Sequence, residues 1–225
     1  MPDVLVNVAD HVATVTLNRP PVNATGRELR QQLTATFDAM GDRDDVRAVI
    51  LTGAGRIFCA GADVKERAHL TGEPGEYGAL NRLVREMFYS ILECPKPVVA
   101  AVNGPALAGG FEIVLSCDLV VAADTARFGI PEVKRGLIAA AGGLIRLPTR
   151  VPLAIALEMT MTGDPIDADR ALALAASLKD ATLRDFAKLR VLADFLQQQF
   201  KLVAIEFLER RKIGLVAAEV EEEDR

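Results

Sequence analysis

Apolar positions change their period several times along the chain, and each change predicts an element. Val4 to Val8 and Val12 to Asn18 are rich in β-branched residues on either side of Asp10-His11, the pattern of a β-hairpin. From Gly26 to Met40, the residues Leu29, Leu33, Phe37 and Met40 recur at helical spacing and stop at Gly41, which predicts an amphipathic helix. Val46 to Leu51 reads as a continuous buried strand of a parallel sheet covered on both faces. Ala60 to Gly78 mixes glycine, proline and charge with little period and is expected to be a mobile loop with some helical turns. A second helix follows over Tyr77 to Leu92, with Leu80, Leu83, Val84, Met87 and Ile91 on one stripe. Val98 to Val102 reads as a strand, Gly109 to Ser116 as a short helix, Leu119 to Ala123 as a strand and Ala126-Arg127-Phe128 as a short extended piece. Gly142 to Arg150 opens a helix that Pro148 breaks and that restarts at Pro152. This alternation predicts an α/β architecture with crossover connections.

The chain has 225 residues, half of them hydrophobic and a quarter charged. That is room for one large domain, or a domain with an appendage, around a sizeable core. The apolar runs fall short of the roughly 18–20 residues that a membrane span needs, so no span is expected. Met1-Pro2-Asp3-Val4 shows no basic segment leading into an apolar one, so no secretory signal is expected and the expected address is the cytoplasm. A net charge of −5 argues against nucleic-acid binding, which wants a basic face. Arg56, Lys65 and Arg67 are either a local handle for a phosphate-bearing ligand or a solvated rim. Cys59, Cys94 and Cys117 are scattered without a CxxC spacing and read as reduced thiols. His11 and His69 form neither an HxH nor an HExxH pair, so no metal site is expected. Ser116 lies outside any GxSxG elbow, which disfavours a serine-hydrolase triad.

The chemistry concentrates in three short stretches: Phe58-Cys59-Ala60-Gly61-Ala62-Asp63, Ala106-Leu107-Ala108-Gly109-Gly110-Phe111-Glu112, and Phe128-Gly129-Ile130-Pro131-Glu132. Two turns of small residues can aim backbone N–H groups at one oxygen, and two glutamates stand near them. Those are the parts needed for enolate chemistry on an activated carbonyl. Glu112 precedes Ile113-Val114-Leu115, while Glu132 sits between Ile130-Pro131 and Val133. Apolar flanks favour burial and a raised pKa, which lets a carboxyl work as acid or base near neutrality.

The same residues resemble the enoyl-CoA hydratase/isomerase (crotonase) family. The resemblance runs from about Val4 to about Ala171 and includes Asn18-Arg19-Pro20, Val49-Ile50-Leu51-Thr52-Gly53 and Cys59-Ala60-Gly61-Ala62-Asp63. It continues through Lys96-Pro97-Val98-Val99-Ala100-Ala101-Val102-Asn103-Gly104 and the two glutamate motifs, and the order and spacing of the set are specific. It implies a ββα superhelix with two sheets packed nearly at right angles, assembled as a homotrimer or a dimer of trimers. The implied substrate is an acyl-CoA thioester, with coenzyme A entering as part of the substrate and no separate cofactor. The implied oxyanion-hole donors are the backbone amides of Ala62 and Gly109. Glu112 would activate water for attack on the β-carbon, and Glu132 would exchange a proton with the α-carbon. Substrate binding would fall to Ala60, Asp63 and Lys65 at the nucleotide end, and to Gly136 and the Ala139 to Gly143 turn, Gly143 included, at the acyl end.

The chain departs from the family pattern in three places. Ala108 stands where a glycine is frequent, and Ala139-Ala140-Ala141 replaces the more usual Pro-Gly-Ala. The third departure is the tail, where a long helical region is expected over Leu183 to Val220, with Phe186, Leu189, Leu192, Leu196, Val203 and Phe207 on its apolar face. The expected organisation is a crotonase-like core over 1–171 and an atypical helical tail over 172–225, serving oligomerisation or as a lid. Having both glutamates favours an enoyl-CoA hydratase of acyl-CoA breakdown. A Δ3-Δ2 isomerase or another crotonase-type lyase, and a non-catalytic acyl-CoA-binding protein, are the alternatives.

Overall fold

The computed structural model describes residues 1–68 and 71–177. The expected tail helix and its apolar face lie outside the described residues. The first hairpin is β1 (Val4–Ala9) and β2 (Val12–Leu17), paired antiparallel with Val6 opposite Val15. Helix α1 (Arg27–Gly41) buries Leu29, Leu33, Phe37 and Met40, the stripe its spacing predicts. Strand β3 (Ala48–Gly53) starts two residues later than the apolar run suggests, because Val46 is buried but its N–H bonds back to Arg43 instead of joining the ladder. Among the described residues, the expected loop region holds the short helix α2 (Val64–Ala68) before the next long helix begins. Helix α3 (Glu76–Leu92) buries Met87, Phe88 and Ile91 and packs on α1.

Strand β4 (Val98–Val102) is followed by β5 (Ala106–Leu107), α4 (Gly109–Ser116), β6 (Leu119–Ala122) and β7 (Arg127–Gly129). A 3-10 turn over Pro131–Arg135 leads to the one-turn helix α5 (Gly143–Arg146) and a second 3-10 turn (Leu147–Thr149). Helix α6 (Leu153–Thr162), β8 (Ile166–Asp167) and α7 (Ala168–Ser177) complete the described chain. The break at Pro148 and the restart after Pro152 are where the prolines predict them. The two-residue strands β5 and β8 are too short to show a strand period and were not expected.

The main sheet has the order β1-β2-β3-β4-β6, antiparallel only at the hairpin. One row of residues crosses it as Val6, Val15, Leu51, Ala100 and Val120. The three central members of that row have no exposed surface, whereas Val6 and Val120 at the edges are exposed. A smaller sheet has the order β5-β7-β8. Loops leaving the carboxyl ends of β3 and β4 lie where open α/β sheets commonly hold ligands. Asn23, fully buried, ties down the loop after β3 by donating from Nδ2 to the carbonyls of Ala54, Ile57 and Phe58. Asn103 adds a bond from its Nδ2 to the Gly55 carbonyl. Among the described residues, no helix is long and apolar enough to cross a membrane.

Candidate active site

Residues 59–63 are held between two neighbours. On one side Thr25 donates to the Gly61 carbonyl at 2.8 Å and accepts from the Asp63 N–H at 3.3 Å. On the other, the Leu107 N–H donates to the Cys59 carbonyl at 2.9 Å, bridging Cys59 to Ala106. The Ala108 N–H then reaches the Gly129 carbonyl, which joins this strip to β7. Gly61, at φ 101°, runs so close to α4 that a Cβ there would lie 2.7 Å from the Ala108 Cβ and 3.1 Å from the Gly109 nitrogen. A Cβ on Gly109 would in turn lie 3.7 Å from the Ala62 nitrogen. The amides of Ala62 and Gly109 are therefore neighbours. Neither N–H donates a hydrogen bond among the described residues, and Ala62 is exposed. Two spare donors side by side, one opening an eight-residue helix, form a site that favours a developing negative charge. Ala108 turns the chain into that helix at φ 53°, a left-handed conformation that costs a non-glycine residue about 1–3 kcal/mol.

The first turn of α4 carries Glu112, only 3% exposed. Its Oε1 accepts two backbone N–H bonds, from Gly143 at 2.8 Å and Ala141 at 2.9 Å, while Oε2 accepts none of the described hydrogen bonds. Burial pushes its pKa up, and the Gly143 and Ala141 amides and the Arg146 charge oppose that. Glu132, on the 3-10 turn after β7, is half-buried. Its Oε2 is buried without a hydrogen-bond partner among the described residues. Burial raises its pKa as well, and the nearby charge of Glu112 adds to that rise. Two carboxyls that each resist ionisation, one with a free oxygen and one with an orphaned oxygen, can exchange protons near neutrality.

Residues 7–176 match the sequence model of the enoyl-CoA hydratase/isomerase family. The chain belongs to this family. As a family member it is 37% identical over 167 residues to a Bacillus subtilis (strain 168) protein named "Probable enoyl-CoA hydratase", which covers 74% of this chain and 64% of that one. It is 39% identical over 163 residues to a carnitinyl-CoA dehydratase of Proteus mirabilis (strain HI4320), covering 72% and 61%. This crotonase-type chain thus spans less than two thirds of the length of these curated relatives. Its fold is similar to the crystal structure of an enoyl-CoA hydratase from Bacillus anthracis, with a TM-score of 0.74 at 33% identity, covering 85% of this chain and 77% of that one.

In this crotonase-type chain, the five residues expected at the substrate fall into different surroundings. Ala60 is half-buried and donates its N–H to the Val22 carbonyl at 3.0 Å. Lys65 is exposed on α2. Asp63 accepts from Arg19 Nη2 at 2.5 Å and from the Lys65 N–H at 2.9 Å. That pairing holds its carboxyl below the usual range and anchors the turn that carries the Ala62 amide. Gly136 closes the turn of Glu132, its N–H on the Val133 carbonyl. Gly143 is buried and gives its N–H to Glu112. Gly143 thus holds a carboxylate directly, whereas Gly136 ends the turn that carries one. Cys59 is fully buried beside the site, its thiol pushed up to about 12 by burial, as a packing residue would be. Among the described residues no cluster of His, Cys, Asp or Glu could hold a metal. Sequence reasoning quoted Arg19 only within Asn18-Arg19-Pro20, without a role, and did not single out Arg146. Their partners lie elsewhere in the chain or on backbone carbonyls, which no local pattern announces.

Proposed function

We propose that the chain is an enoyl-CoA hydratase, adding water reversibly across the 2,3 double bond of a 2-enoyl-CoA thioester. The observation that carries the reading is the orphaned, buried Oε2 of Glu132, which feels Glu112 and shares the site with two unspent backbone donors. The thioester oxygen takes the Ala62 and Gly109 amides, and each donor stabilises the enolate-like transition state by about 3–4 kcal/mol. Glu112, anchored through Oε1, uses its free oxygen to take a proton from the attacking water, whose oxygen bonds to C3. The C2–C3 π electrons move toward the thioester, and C2 takes a proton from the Glu132 carboxyl. The microscopic division of labour belongs to the pair rather than to either carboxyl alone. The nucleotide end of coenzyme A would lie along 60–65, with the exposed Lys65 free to meet a phosphate. No cofactor beyond the substrate's own coenzyme A enters this scheme. Assembly as a cyclic trimer or a dimer of trimers belongs to the same proposal, and light scattering decides it.

The test is turnover of crotonyl-CoA followed by the loss of the conjugated thioester's ultraviolet absorbance, with 3-hydroxybutyryl-CoA as the expected product. Faster conversion of a 3-enoyl-CoA would assign isomerisation instead. Acyl-CoA binding with turnover of neither substrate would assign a binding protein.

A further inference from the structure

We propose that Arg146 is a positioning residue for Glu112: it locks the turn whose two amides hold Glu112 Oε1, so that the second carboxylate oxygen stays presented to the reaction. The kinetic part of this inference rests on the hydratase reading, whereas the geometric part does not.

Glu112 is gripped by the peptides on either side of one carbonyl. Ala141 N–H and Gly143 N–H converge on Oε1, and the carbonyl between them, that of Ala141, accepts from Arg146 Nη1 at 2.8 Å. The Arg146 N–H also bonds the Gly142 carbonyl at 2.9 Å. One arginine, at the end of a one-turn helix, thus folds back on the start of that helix and fixes the peptides that aim both donors. Gly142, at φ 103°, is where this turn could swivel, since glycine tolerates many backbone states. The guanidinium occupies the space where a side chain at Gly142 would begin. A Cβ at Gly142 would lie 2.6 Å from the Arg146 Cζ and 2.9 Å from Nη2, and nearer still to Nη1. The dihedral therefore calls for glycine, a side chain there would have to push the guanidinium aside, and the arginine removes the freedom that the glycine would otherwise give. A loosened turn would let the carboxylate rotate, and small misplacements of a reacting group can cost about 100-fold in rate.

Charge acts in the same direction. Among the described residues the charges that bear on Glu112 are Arg146 from α5, which favours the carboxylate, and Glu132 from the 3-10 turn, which repels it. Without Arg146 the Glu112 carboxyl should hold its proton to higher pH and be a poorer base at neutrality.

The experiment compares Arg146→Met, Arg146→Lys and Gly142→Ala with the parent, each checked for folding by circular dichroism. Two readouts are taken: side-chain carboxyl titration by ¹³C NMR of Glu-labelled protein, and crotonyl-CoA hydration. Expected for Arg146→Met are an upward move of the Glu112 titration midpoint and a fall in kcat of about 10–100-fold, with KM within about twofold. Arg146→Lys keeps the charge, so its midpoint should stay near the parent's and kcat should partly recover. Gly142→Ala keeps the arginine but displaces it and should reproduce the Arg146→Met loss. A folded Arg146→Met or Gly142→Ala variant whose Glu112 titrates as in the parent overturns the inference. So does an unchanged kcat. If the parent hydrates nothing, the hydratase reading has failed and the NMR comparison alone decides the role of Arg146.

Discussion

Replacing Glu132 by methionine should stabilise the folded chain while removing turnover. The side chain ends in an oxygen that is buried and unpartnered among the described residues, and a buried polar group without its hydrogen bond costs about 1–3 kcal/mol. Methionine has a similar reach and no such group, so the gain should be of that order, each kcal/mol being worth about 2–4 °C in Tm for a chain of this size. The pH dependence follows from the raised pKa. The folded state keeps the Glu132 proton to higher pH than the unfolded chain, whose glutamates titrate near about 4.3. Stability is therefore lost as pH rises from the unfolded value through the folded one, and the full penalty stands above both. The advantage of Glu132→Met should be small near pH 4, grow through the raised pKa and level off above it. Urea unfolding of parent and variant at pH 4.5, 6 and 8 measures this. A variant less stable than the parent at pH 8, or a gain that ignores pH, would refute the assignment of a strained, unpartnered carboxyl.

Two further substitutions probe the amide site. Ala108→Gly should relieve the left-handed backbone at φ 53° and stabilise the fold by about 1 kcal/mol in urea, once the strain relieved is set against glycine's chain entropy; equal or lower stability would count against strain at this position. Gly109→Pro removes one donor at a first helical position, where proline is tolerated, so the fold should survive while 2-enoyl-CoA hydration drops about 10²–10³-fold. A parent-like rate would remove Gly109 from the oxyanion site.

Long-period features were legible in the chain and short-range pairings were not. The helical stripe of α1 follows from spacing alone, because that helix buries one apolar face, whereas α4 is buried almost throughout and shows no stripe. The strands β5 and β8 are two residues long and exist only through pairing with β7, which no local propensity encodes. At the site, the three small-residue and glutamate stretches could be named from the sequence because each carries its own turn chemistry. What holds them could not. Glu112 is anchored by amides about thirty residues away, and Asp63 by Arg19, forty-four residues earlier in the chain. A residue's partner across the fold leaves no mark on its sequence neighbours.

The most direct measurement of the central claim is the steady-state hydration of crotonyl-CoA by the parent, Glu112→Gln and Glu132→Gln, with acyl-CoA affinity measured on the same samples. If the two carboxyls are the acid–base pair, the parent hydrates the substrate and each glutamine variant loses about 10²–10⁴-fold in kcat, the usual contribution of a positioned acid or base, while binding is retained. A glutamine variant that hydrates at the parent's rate would contradict the account.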